Sequence, residues 1–123
     1  MSTTKIAVTG HCGAGKTTVV NLLRRRGYDA YSVAQEHSII SDLWAHQEPD
    51  VVVHLDVSLA EIRRRKRNPR WPEWIFDEQV RRLESARANA TLVLHTDDVS
   101  AEQIADEVHR YITERAAPGG TDE

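Results

Sequence analysis

One cysteine, Cys12, stands in a chain of 123 residues. No internal disulfide can form, and such a chain fits a reducing cytoplasm. No apolar run approaches the ~18 residues that a membrane span needs, which excludes a membrane-embedded helix. The opening MSTTKIAVTG runs straight into an apolar strand and leaves no room for a signal peptide. Charge of one sign is not in large excess: the formal net charge is −3, which argues against binding nucleic acid by electrostatics alone. The order G-x-G-x-x-G is absent, so a dinucleotide site of the Rossmann type is not expected. The base-reading N-K-x-D of GTPases is absent too. No internal repeat is visible.

What remains is a chain of one-domain size, able to bury roughly 65–70% of its unfolded surface around one sheet. Short β-branched runs alternate with stretches of helical spacing. Lys5–Thr9 (KIAVT), Tyr28–Val33 (YDAYSV), Asp50–Val57 (DVVVHLDV) and Thr91–His95 (TLVLH) read as strands, the third apolar enough to be central in a parallel sheet. Lys16 to about Arg26 reads as a helix, with Gly27 in the left-handed position that ends it. Gln35 to about Gln47 carries Ile39, Ile40, Leu43 and Trp44 at helical spacing, with Pro49 at its end. Ser58-Leu-Ala-Glu61 and Ser100-Ala-Glu-Gln103 are capping boxes. The first opens a helix to about Asn68, interrupted by Pro69; the second opens a helix that buries Ile104, Val108, Tyr111 and Ile112. Between them a helix beginning near Pro72 is expected to turn Ile75, Val80, Leu83 and Ala86 inward. The order β-α-β-α-β-α-α-β-α specifies an α/β fold: three layers, α/β/α, around a short parallel sheet of about four strands. Residues 1–115 form one domain in this reading, and 116–123 (APGGTDE and the preceding Ala) a loose tail.

The stretch GHCGAGKTT, Gly10 to Thr18, fits G-x-x-x-x-G-K-[ST], the phosphate-binding P-loop. Glycines at 10, 13 and 15 let backbone N–H groups converge into an anion nest, and the helix that follows adds its positive end. Lys16 is expected to reach the β- and γ-phosphates, and the Thr17 hydroxyl to ligate Mg²⁺. The candidate nucleotide-binding set is Gly10, His11, Cys12, Gly13, Ala14, Gly15, Lys16, Thr17 and Thr18. His11 and Cys12 occupy variable positions of the loop. A redox role for Cys12, lowered in pKa by the nest, is the weaker reading beside a spectator thiol.

With LDVSLAEIRRRKR and WIFDEQVRRLESARANATLVLHTDDVSAEQIADEV following the loop, nearly the whole chain resembles the small-molecule and nucleotide kinases of the P-loop NTPase superfamily. The resemblance implies the P-loop NTPase fold, ATP and Mg²⁺, an arginine-rich lid, and the stretch from His95 to Asp98 near the adenine. Charge argues for the lid independently. Arg63, Arg64, Arg65, Lys66, Arg67 and Arg70 place six cations in eight residues beside Pro69, and cations around a transferring phosphoryl group stabilise its developing charge. By resemblance Arg63, Arg67 and Arg70 are the lid arginines; the bland reading leaves part of this run on a solvated helix face. Trp71 and Trp74 could stack on bases of a nucleic acid, but packing in the core is preferred.

A Walker B strand, four apolar residues and an Asp, is missing between the second strand and LDV, where 17 residues separate Val33 from Val51. Two acids remain as replacements. Asp56 ends an h-h-h-h-D strand and could orient Mg²⁺ through water. Glu36 would stand near the γ-phosphate if the Tyr28–Val33 strand lies beside the P-loop strand. Glu36 is preferred as base or metal organiser, against the bland role of an acid at a helix start; His37 and Asp42 rank below it. The reading is a minimal ATP-dependent kinase acting on a small molecule, nucleoside- or nucleotide-like. Its rivals are an ATP-binding switch with little turnover and a polynucleotide end kinase. Neither the acceptor nor the oligomeric state is legible.

Overall fold

The computed structural model describes residues 3–116. Four parallel strands form one sheet in the order β2-β1-β3-β4: β1 (Lys5–Gly10), β2 (Asp29–Ser32), β3 (Val51–Asp56) and β4 (Leu92–His95). Helices α1 (Lys16–Arg25), α2 (Leu59–Arg65), α3 (Glu73–Ala88) and α4 (Ala101–Ala116) complete the described residues, with short 3₁₀ turns at Gln35–His37 and Leu43–Ala45. Of the expected tail, Ala116 ends α4 and the rest lies outside the described residues.

Period-two alternation assigns the two faces of the sheet. Ile6, Val8, Val53 and Leu55 point to one side, where Val19, Val20 and Leu23 of α1 and Ile104, Ala105 and Val108 of α4 join them in the main core. Ala7 and Val52 point to the other and meet Val33, Trp44 and Tyr31 in a smaller cluster, on the side where α3 lies. The main face is the better filled, and α3 stands off the sheet far enough to leave hollows between them.

The helix ends follow local chemistry. Gly27, at φ 95°, closes α1: its N–H donates to Arg24 O and that of Tyr28 to Leu23 O, the paired bonds of a Schellman end. Arg67 does the same for α2 at φ 54°, donating to Arg64 O while Asn68 donates to Arg63 O. The helix therefore stops short of Asn68. Ser100 and Gln103 form the full reciprocal capping box. At Ser58 only half forms: its hydroxyl accepts from Glu61 N–H at 3.1 Å, while its own N–H donates to Asp97 and the Glu61 carboxylate goes to Arg64 and Arg65.

One expected helix is absent. Between Gln35 and Gln47 the chain makes two isolated 3₁₀ turns, and Ile39 and Ile40 are 88% and 49% exposed. The cause is Gln35, whose side chain is fully buried. Its amide donates to Ile40 O at 2.6 Å and accepts from Trp44 N–H at 2.9 Å, so backbone groups that a helix would pair internally are satisfied by a side chain instead. On α3, Leu83 and Ala86 are buried as expected, but Val80 is 45% exposed and Trp74 70% exposed. Trp71 packs partly against the main core; Trp74 does not.

Candidate functional site

The loop between β1 and α1 takes its shape from close packing. A Cβ on Gly10 would stand 2.8 Å from Leu55 O and 3.2 Å from Ala14 Cβ, so only glycine lets β1 run beside β3 at the point where the loop departs. Gly13 and Gly15 adopt φ near 90°, the left-handed backbone that a phosphate nest uses, while the Ala14 N–H between them donates to His11 O at 3.0 Å. Lys16 opens α1, and Thr17 and Thr18 lie exposed on its first turn.

The Lys16 ammonium has three acceptors: Gly10 O at 2.9 Å, His11 O at 3.2 Å and the Glu36 carboxylate at 2.7 Å. This places Glu36 at the phosphate loop, because β2 pairs with β1 in parallel register, Val8 opposite Ser32, and the chain leaves β2 toward the same end of the sheet. Glu36 is 3% exposed, and its second oxygen, Oε1, is buried with no hydrogen-bond partner. A buried carboxylate oxygen without a donor is costly unless something supplies one. His37 Nε2 stands 3.6 Å from the other oxygen.

Asp56 lies elsewhere. It sits on the α3 side of the sheet, held by Arg87 at 3.0 Å and beside His54 Nε2 at 3.1 Å and His95. Burial opposes its ionisation, but Arg87 and the histidines outweigh it and hold its pKa below the usual carboxylate value. Asp56 is thus paired with Arg87, whereas Glu36 is the acid paired with Lys16. Burial drives His54 down to about 4, so it is neutral, with Nδ1 2.9 Å from the Thr9 hydroxyl. His11 is also buried and lowered in pKa by burial. It stacks on Phe76 with ring centroids 4.4 Å apart, and neither ring nitrogen has a hydrogen-bond partner of good geometry.

The basic run is sorted by helical geometry. Arg65 and Lys66 follow the buried Ile62 by three and four residues and share its face. Arg65 donates to Gly13 O at 3.1 Å and to Thr96 O, and pairs with Glu61 at 2.8 Å, clamping the loop to the end of β4. Lys66 Nζ stands 3.2 Å from Cys12 Sγ and 4.4 Å from the Trp71 ring centre. Arg63 and Arg67 line a shallow surface hollow with Ala60, Arg64 and Pro69; Arg63 donates to Trp71 O, and Arg70 is exposed. The cations brought to the loop are thus Arg65 and Lys66, not the three lid arginines inferred from resemblance. Gln79 of α3 is a further group that the residue pattern underweights: it is buried, and its Oε1 accepts from Cys12 N–H at 3.1 Å. The available signal was a polar residue within the stripe Ile75, Gln79, Leu83, Ala86.

Two cavities flank the loop. One, of about 590 Å³, opens between Ala14, Gly15, Thr18 and Val19, the α2 residues Glu61, Arg64 and Arg65, and the segment Thr96–Ala101. The other, of about 300 Å³, lies on the opposite side among Cys12, Glu36, His37, Trp71, Trp74, Ile75 and Gln79. A third, of about 420 Å³, lies under α3 and is lined by His11, His54, Asp56, Phe76 and Arg87. No helix among the described residues is long and apolar enough to cross a membrane. No group of three or more His, Cys, Asp or Glu among them is placed to hold a metal by itself.

A family profile described as an AAA domain matches residues 6–99. No curated protein sequence matches. Among solved structures, the chain is similar to a shikimate kinase from Bacteroides thetaiotaomicron, with TM-score 0.56 over 94% of this chain and 99% of that one, at 16% identity. At that identity the likeness carries the fold: an α/β P-loop kinase-like architecture.

Proposed function

The chain belongs to the AAA domain family, and on that premise we propose that it is a minimal phosphotransferase that moves the γ-phosphate of ATP to the hydroxyl of a small molecule. The observation that carries this reading is the Lys16–Glu36 pair at 2.7 Å. It joins a phosphate-binding cation to a buried carboxylate that keeps one oxygen free, between two cavities of unlike character. The larger cavity suits the adenosine portion, reached from the nest through Gly15 and Thr18. The smaller suits an acceptor, with Glu36 in its wall.

Magnesium fits the residues present. Thr17 offers an exposed hydroxyl on the first turn of α1, and Glu36 Oε2 is the oxygen that Lys16 holds and would vacate for the phosphates. Thr17 would hold the ion directly and Glu36 Oε2 through one of its waters, and Mg²⁺ would supply charge neutralisation between phosphate groups. Lys16 leaves Glu36 for the phosphates. Glu36 then accepts the proton of the attacking hydroxyl, a role for which its position matters first and its basicity second. Arg65 holds the loop in place, and Lys66, above Gly13, meets charge on the transferring group. The name of the similar solved protein, a kinase of a small molecule, agrees with this class of reaction.

A screen of nucleosides, nucleotides and small alcohols for acceptor-stimulated ADP release tests the proposal. Turnover should depend on Lys16, and a Lys16→Ala protein that still consumed ATP at the wild-type rate would overturn it. ATP bound with no acceleration by any acceptor would favour the switch reading, which the self-occupied state of Lys16 also supports.

A further inference from the structure

The two halves of the phosphate loop have different neighbours. Ala14, Gly15 and Thr18 border the larger cavity, while Cys12 borders the smaller one beside Glu36. A triphosphate whose base and ribose fill the larger cavity meets the rear half of the loop first and brings its γ end to the front half, residues 11–13. The rear half is oriented by the start of α1, whose first N–H groups have no carbonyl one turn back to bond. The front half has no helix of its own. Side chains of α2 and α3 and the residue after α2 hold it instead: Arg65 donates to Gly13 O at 3.1 Å, Lys66 reaches Cys12 Sγ, and Phe76 stacks on the His11 ring.

The peptide group between His11 and Cys12 is held at both ends. Its oxygen accepts from Lys16 Nζ at 3.2 Å and from Ala14 N–H at 3.0 Å. Its N–H donates to Gln79 Oε1 at 3.1 Å, and because the loop supplies the donor, the amide must present its oxygen there. Gln79 is buried and lies one turn beyond Phe76, so α3 grips two successive loop residues, one by its ring and one by its main chain. A bound nucleotide disturbs one end of this hold. The Lys16 ammonium has three protons, and Gly10 O, His11 O and Glu36 take them. Reaching both the β- and the γ-phosphate requires two. Glu36 gives up one, and His11 O, the longest of the three contacts, gives up the other. Gln79 is then the side chain that still fixes this peptide. A loosened peptide can turn its oxygen toward the γ-phosphate, and a carbonyl facing an anion opposes binding where an N–H favours it.

We propose that Gln79 is a positioning residue for the γ-phosphate: by holding the Cys12 N–H it fixes the front half of the loop, so that the nest begins at Gly13 and the carbonyl of His11 stays turned away. Gln79 acts through the loop and touches no phosphate itself. The N–H groups of Gly13 and Gly15, which have no protein acceptor among the described residues, are the donors it leaves aimed at the ligand. The inference rests on the nucleotide site of the phosphotransferase reading and not on transfer.

The test is calorimetric titration of the full chain, with Mg²⁺ present, by ADP and by a non-hydrolysable ATP analogue. Wild type is compared with Gln79→Met, which keeps the reach of the side chain and removes the acceptor. The analogue should bind about fivefold or more weakly to the variant, and ADP less than about twofold more weakly, since its last phosphate lies against the rear half. A loss of stability alone would move both ligands together, so equal weakening of the two, or no change in either, overturns the positioning role. Wild type that bound neither nucleotide would overturn the nucleotide site and this inference with it, whereas a lack of acceptor-stimulated ADP release would count against transfer and leave the inference standing. If Gln79→Met does not fold, the wild type decides by NMR. With the analogue bound, nitrogen–phosphorus coupling across the hydrogen bond is expected at Gly13 or Gly15 and not at Cys12. Coupling at the Cys12 nitrogen would mean that its N–H has left Gln79 for the phosphate, and would overturn the proposal.

Discussion

Lys16 and Glu36 pair at 2.7 Å beside the loop, so each substitution there has a directional outcome. Glu36→Gln keeps the shape of the site and removes the proton acceptor; kcat should fall by about 10²–10⁴-fold. Apparent affinity for ATP should hold or improve, because Lys16 no longer has a carboxylate to leave. Steady-state kinetics at varied ATP reads the split between kcat and KM. His54 gives a pH signature unconnected with turnover. Its pKa is about 4 in the fold, lowered by burial from 6.5, so between those values the unfolded chain binds a proton that the folded chain refuses. Stability from this group is therefore complete above pH 6.5 and falls as pH drops toward 4, by about 3 kcal/mol. His11 shifts in the same direction; Asp56, lowered, adds loss only at more acid pH. Urea unfolding at pH 7.5 and 4.5 should show the drop, and His54→Gln should flatten it.

The strands were readable because β-branched runs such as Val51–Val53 leave few alternatives to a buried strand, and α1 because Gly15 and Gly27 bracket it. The segment after β2 departs from its sequence pattern for a physical reason. Ile39, Ile40, Leu43 and Trp44 have helical spacing, but a single buried amide, Gln35, intercepts the backbone bonds that spacing would need. Position within the basic run was legible in principle from the face of Ile62, yet the number of charges obscured which two turn inward. That Glu36 lies beside Lys16 follows only from the parallel pairing of β1 with β2, which no single stretch of sequence states. Two predictions belong at this scale. Gly10→Ala forces a methyl to 2.8 Å from Leu55 O, and should cost about 1–3 kcal/mol by strain between β1 and β3, seen as a lowered midpoint in thermal melting. Arg67→Gly relieves a side chain at φ 54° where glycine is favoured at a helix end, and should leave the midpoint unchanged or raise it by up to about 1 kcal/mol equivalent.

Over the whole molecule, four strands suffice because β2 lies directly against β1, and the P-loop is shared between cavities on its two sides. Binding of a nucleotide analogue should therefore stabilise the fold by mass action, about 2.7 kcal/mol at a hundredfold excess over Kd, read as a concentration-dependent rise in melting temperature that Lys16→Ala largely loses. The salt bridge between Lys16 and Glu36 has a consequence for the order of events. In the unliganded protein a triphosphate must draw Lys16 away from Glu36 Oε2, and in doing so it leaves the carboxylate uncompensated and a stronger acceptor for a hydroxyl. Thermodynamic reciprocity makes the two enhancements the same factor. The two substrates should bind synergistically, with random order of addition, and water, too small to hold the acceptor cavity in register, should be a poor substitute that leaves ATP largely unspent.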